Sequence, residues 1–174
     1  MNYGFELFEI LKRCDFNELR HELNTRIDIG AVARNMGSKS RVELARRIIE
    51  MSGSNPNIVR FCILKDAQNI IGTFYLFGIK KCKNFCKLTF FIGNEILKIS
   101  FDYRNYEIAK ESIVSGASLQ EIILLCDDKE IEKIGSSIFE MYKRYPSEED
   151  IITFFCNQLI GSKQILKVSF FAEK

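Results

Sequence analysis

The residues in this sequence with most chemical potential are two cysteines, Cys82 and Cys86, in the run Lys-Cys-Lys-Asn-Phe-Cys-Lys, and a lone histidine, His21. Two thiolates at that spacing supply half of a zinc site. Zinc takes four ligands, and neither a second close cysteine pair nor a histidine cluster accompanies them. The flanking lysines would lower a thiol pKa and make either cysteine reactive. A turn that carries incidental cysteines explains the same residues, and that reading is adopted. His21 sits between Arg20 and Glu22 on a helix surface. A general base needs a nucleophile and an orienting partner, and neither is marked. Gly72, Gly78 and Gly93 lie in or beside apolar runs, with no glycine-rich loop leading into a lysine-bearing helix, so a phosphate cradle is unsupported. Asp127-Asp128 and Glu148-Glu149-Asp150 fall in first helical turns, where they complement the macrodipole. No catalytic residue, metal or cofactor is therefore expected.

Charge placement carries more information. Arg34, Lys39, Arg41, Arg46 and Arg47 cluster around one expected helix, while Asp15, Glu18 and Glu22 make the preceding helix acidic. Modules that join to their own kind set an acidic face against a basic one, and a head-to-tail contact of that type can propagate. Asp15, Glu18, Arg20, Arg41, Arg46 and Arg47 are the expected partner-binding residues. The competing reading is two solvated faces whose ion pairs contribute little. A third is phosphate contact to nucleic acid by the same arginines. The net charge of +2 and the lack of interleaved aromatics argue against it.

The elements that must position these groups fall into two halves. With 47% hydrophobic and 28% charged residues, the 174-residue chain can bury a core and is no disordered tail. Residues 1–64 read as a small helical bundle. Phe5, Leu7, Phe8, Ile10 and Leu11 have helical spacing over Tyr3–Arg13. Asp15 with Glu18, and Ser40 with Glu43, read as two capping boxes. Ile27-Asp28-Ile29 is a short apolar link between them, and Gly30 to Arg34 could make a helical turn. Ser52-Gly53 stops the third helix, and Pro56 starts a fourth that runs through Leu64.

Near Asp66 the texture changes. Ile70 to Ile79, Cys86 to Ile92 and Glu95 to Phe101 are aromatic and β-branched, with Gly93-Asn94 as a two-residue hairpin. Ser118 with Glu121, Asp127 with Glu130, and Ser147 with Asp150 then mark helix starts. Helices are expected near 106–115, 119–125, 128–145 and 148–160. Gln164 to Phe171 alternates like a closing strand. The expected fold class is α+β: helices over 1–64, then an α/β domain over 65–174 with a mostly antiparallel sheet backed by helices. A single continuous domain is the alternative. The cysteines Cys14, Cys62, Cys126 and Cys156, like Cys82 and Cys86, are expected as small hydrophobes of a reducing compartment. No run of about 18 apolar residues occurs and the opening residues do not form a secretory signal, so a cytoplasmic location is expected.

The run Leu7-Phe8-Glu9-Ile10-Leu11-Lys12-Arg13-Cys14-Asp15-Phe16-Asn17-Glu18-Leu19-Arg20 resembles the opening of prokaryotic effector-associated domains, which are small death-like helical modules. Arg41-Val-Glu-Leu-Ala-Arg-Arg-Ile-Ile-Glu-Met is similar to the helix those modules carry next. Ile27-Asp28-Ile29 and Met36-Gly37-Ser38-Lys39 match their intervening segment loosely. The family tends to end in a Gly-Arg-Leu-like turn and a leucine-rich helix; here Ser52-Gly53-Ser54-Asn55-Pro56 stands instead. The resemblance covers the first third of the chain. It implies a non-enzymatic adaptor in a bacterial defence or conflict signalling system, whose partner is a protein with a similar helical module or a second copy of this chain. The alternative is a nucleic-acid-binding regulator using the arginine-rich third helix. No known family is securely recognised in residues 65–174.

Overall fold

The computed structural model describes residues 3–53, 55–77, 91–145 and 151–159, and all regular structure among them is helical. The helices are α1 (Tyr3–Arg13), α2 (Phe16–Thr25), α3 (Ile29–Asn35), α4 (Ser38–Ser52), α5 (Pro56–Phe77), α6 (Phe91–Asp102), α7 (Tyr106–Val114), α8 (Leu119–Leu125), α9 (Asp128–Arg144) and α10 (Ile151–Asn157).

The caps explain most of the boundaries. Asp15 accepts the Glu18 N–H at 3.0 Å and opens α2. The reciprocal half of the expected box is missing, because the Glu18 carboxylate accepts from Arg13 instead. Asp28 opens α3 by accepting from Ala31 N–H at 2.8 Å. Asn105 does the same for α7 through Ile108, and Ser118 for α8 through Glu121. At α9 both halves of a capping box form between Asp127 and Glu130, at 2.9 Å each. Ser40 is a correction: α4 starts at Ser38 with Gly37 as its N-cap and no side-chain cap bond, so Ser40 lies inside the first turn. Gly53, at φ +50°, ends α4 in a conformation that costs a glycine little.

The expected α+β class, with a mostly antiparallel sheet, is overturned: there is no strand among the described residues. Residues 70–77 continue α5, and Glu95–Phe101 belongs to α6. The remainder of the first expected strand, most of Cys86–Ile92 and the closing strand at 164–171 lie outside the described residues, as does the Ser147 cap. Gly93-Asn94 is no hairpin. Asn94 is buried in the first turn of α6, where Oδ1 accepts from Ser118 N–H at 2.8 Å and Nδ2 donates to Glu121 at 3.0 Å. It ties the start of α6 to the start of α8.

For residues 95–101 the physical reason is burial from two sides. One apolar cluster joins Leu7, Leu19, Leu44, Ile48, Val59 and Ile63 to Ile92, Ile96 and Ile99 of α6. A second joins Leu97 and Phe101 of α6 to Tyr106, Ile122, Ile138 and Phe155. A helix buried on opposite sides shows no polar stripe, so its 3.6-residue period is masked. Aromatic pairs sit in both clusters: Phe16 meets Phe61 edge-on at 5.8 Å between ring centroids, and Phe101 meets Phe155 in a tilted contact at 5.4 Å.

Two measurements follow. In urea unfolding, Ile96→Ala is expected to cost about 2–5 kcal/mol, while Lys98→Ala, on the exposed side of α6, costs less than about 0.5 kcal/mol. Similar losses at both positions would fit a strand, in which the two share a face. Asp127→Ala removes the capping box and is expected to cost about 1 kcal/mol, read as a lowered urea midpoint with an unchanged slope.

Candidate functional site

The six expected partner-binding residues occupy two helices. Asp15 and Glu18 stand at the exposed start of α2, with Arg20 exposed further along. The Glu18 carboxylate pairs with Arg13 at 2.8 Å. Arg46 and Arg47 stand in the middle of α4 and both reach Glu43, at 3.1 Å and 2.9 Å. Arg47 also reaches Glu50 at 3.1 Å. Arg41 turns away from them: its guanidinium donates to the Met36 carbonyl at 3.1 Å and secures the loop before α4. Arg34 lies on α3, 4.0 Å from Asp28.

The acids of α2 and the arginines of α4 are thus each matched by neighbours in sequence and not by one another. Spacings of three and four residues place Glu43, Arg46, Arg47 and Glu50 along adjacent rows of α4. Their side chains remain about two-fifths exposed. Pairs of this kind are screened by salt and contribute about 0–1 kcal/mol each. Over Ser38–Ser52 the four cations Lys39, Arg41, Arg46 and Arg47 outnumber Glu43 and Glu50. Over Asp15–Thr25 the acids Asp15, Glu18 and Glu22 outnumber Arg20. The local pairs therefore leave α4 with a surplus of cations, while Arg13 and Arg26, just outside α2, pair with Glu18 and Glu22 and, among the described residues, leave Asp15 as its acid without an ion pair.

Three polar features were not singled out from sequence. Arg26, just past α2, forms a fork with Glu6 at 2.6 and 3.0 Å and reaches Glu22 at 2.8 Å, which pins α1 to the end of α2. The hydrogen bonds it donates to Glu6, then to Glu22, raise its pKa further above the ordinary guanidinium value. Arg60 of α5 forms a second fork with Glu111 of α7, at 2.7 and 3.2 Å. The third is Asp66, buried in α5. Burial, the largest influence, pushes its carboxyl up to about 6, against the opposing pull of the Ile92 N–H and the Arg34 charge. Its signal in the sequence is an acid inside Phe-Cys-Ile-Leu-Lys-Asp-Ala, which reads equally well as a change of texture.

An open cleft of about 610 Å³ lies where α1 meets α3 and the start of α4, lined by Tyr3, Phe5, Phe8, Val32 and Met36 with Arg26 at its edge. None of the expected partner-binding residues lines it. His21 is exposed on α2, where its carbonyl accepts from the Thr25 hydroxyl at 2.8 Å. Cys62 is fully buried, which pushes its thiol up to about 12 and makes it unreactive at neutral pH. Cys14 is exposed, so it departs from the expectation of a buried hydrophobe; Cys126 and Cys156 are intermediate. Cys82 and Cys86 lie outside the described residues. Among the described residues, no group of three or more histidine, cysteine or acidic side chains is placed to hold a metal ion, and no helix is long and apolar enough to cross a membrane. Comparison with family models, curated proteins and solved structures finds no match to this chain.

Proposed function

We propose that this chain is a non-enzymatic adaptor that joins its own kind through the helical module at its N-terminus, with the basic side of α4 in one copy seated on the acidic start of α2 in the next. One observation carries the reading: Arg46 and Arg47 pair within α4, Glu18 pairs with Arg13, and the two sets are not spent on each other. Exchanging an exposed local pair for an intermolecular one costs little, because the local pair contributes about 0–1 kcal/mol. Two different surfaces meeting head to tail can continue into an open assembly. The resemblance of residues 7–20 to prokaryotic effector-associated modules supports the same reading and suggests a role in bacterial defence or conflict signalling, beside an effector that carries a similar module. The nucleic-acid reading draws less support. No aromatic residue interrupts Ser38–Ser52, and the net charge of the chain is only +2.

The test uses two variants of the full chain, the double charge reversal Arg46→Glu/Arg47→Glu and the single reversal Glu18→Arg. Light scattering at low ionic strength is expected to give a mass above that of the monomer for the unaltered chain, falling as salt is added. Each variant alone is expected to stay monomeric, because each lacks one of the two surfaces. A mixture of the two is expected to associate again, since each retains the surface the other needs and the two reversed surfaces are opposite in charge. Melting temperatures within a few degrees of the unaltered chain would show that the fold survives. A monomeric unaltered chain at every ionic strength, or unchanged association of both variants, overturns the proposal.

A further inference from the structure

We infer that Asp66 makes the seating of α6 on α3 and α5 a proton-dependent latch, tighter when the carboxyl is neutral and looser when it is ionised. Asp66 is only 1% exposed, although it lies on α5 two residues from the exposed Leu64. Its Oδ2 accepts the Ile92 N–H at 3.2 Å, in the first turn of α6, where helical N–H groups have no partner within their own helix. Its Oδ1 is buried and has no hydrogen-bond partner. That oxygen lies against the backbone of α3: a Cβ on Gly30 would stand 2.6 Å from it, 3.2 Å from Arg34 Nη1 and 3.3 Å from Asp28 Oδ1. Parts of three helices meet at this one carboxyl.

Among the described residues, the charged groups that face it are few. From α3 and its cap come Arg34, which favours the ionised form, and Asp28, which opposes it. From α6 comes the Ile92 amide, at the positive end of a helix dipole, which also favours the ionised form. Arg34 divides its attention, standing 4.0 Å from Asp28. Neither influence replaces the water that an ionised carboxylate loses when one of its oxygens is left bare, so the neutral form is favoured in the fold relative to the open chain.

The direction of the pH dependence follows from linkage. The carboxyl sits at about 6 in the fold against an ordinary value of 3.8. Between these values the folded chain holds a proton that the unfolded chain has released. Stability attributable to Asp66 is therefore fully present below about pH 4, falls as pH rises toward 6, and stays at its lower level above that. Near neutrality the start of α6 is held by a buried charge with one unsatisfied oxygen. A proton, or any partner that brings a donor to Oδ1, tightens it.

Asp66→Asn keeps the shape and an acceptor for Ile92 but cannot titrate. Between pH 4 and pH 7 the folding equilibrium constant of the unaltered chain, divided by that of the variant, is expected to fall by a factor on the order of 100, one tenfold step per unit of displaced pKa. Parallel pH profiles would overturn the latch. A second measurement needs no variant: in carbon-13 and nitrogen-15 labelled full-length chain, the Asp66 carboxyl carbon and the Ile92 amide are expected to titrate together with a midpoint near 6. An Ile92 amide unmoved from pH 4 to 7.5, or an Asp66 carboxyl that titrates below 5, would overturn it too.

Discussion

The rest of the molecule depends on the burial of α6 from opposite sides. Ile92, Ile96 and Ile99 enter the cluster built by α1 to α5, while Leu97 and Phe101 enter the one built by α7 to α10. Only Lys98 and Asp102 on its described turns are exposed. Each aliphatic side chain removed fully from water contributes about 1.5–3 kcal/mol, so a single helix couples two apolar clusters that neither half of the chain could complete alone. The residues before 64 do not close their own core: Ile92, Ile96, Ile99 and Ile108 belong to it.

A helix with so little solvent contact must settle its polar groups internally. Ser100 does so by donating to the Leu97 carbonyl at 2.6 Å, one turn back. Asn94 spends its amide on the start of α8, accepting from Ser118 and donating to Glu121. The Ile92 N–H goes to Asp66. Gly30 belongs to this arrangement as well, because any side chain there would collide with the Asp66 oxygen. The polar anchors of α6 thus come from α5 and α8, which makes its first turn the place where parts distant in sequence are held in register.

The charged surface obeys a different economy. Among the described residues, most ion pairs link residues three to five apart, as in Lys12 with Glu9, Arg46 and Arg47 with Glu43, and Lys143 with Glu140. Only the forks of Arg26 on Glu6 and Arg60 on Glu111, among the described residues, tie parts distant in sequence by paired hydrogen bonds. Local pairs form because helical spacing brings their members together, whatever the tertiary fold. They can also be surrendered to another molecule without disturbing the fold. That distinction separates the cations that brace the bundle from Arg46 and Arg47, which pair within their own helix.

The sequence by itself determined everything that nearest neighbours decide. Asp15, Ser118, and Asp127 with Glu130 mark helix starts because their cap bonds span three residues. Helix α1 was legible because a helix with one wet face shows its period. The charged residues of α2 and α4 were legible as surface groups for the same reason, though not that Arg41 would fold back onto Met36. Tertiary structure alone decided the state of residues 70–77 and 95–101. The stretch 95–101, buried from opposite sides, has the composition of a strand and no stripe to betray a helix, and only the neighbours that cover it select between the two. It alone also turned Asp66 into the anchor of α6, since the partner that gives the carboxyl its meaning lies 26 residues away in sequence.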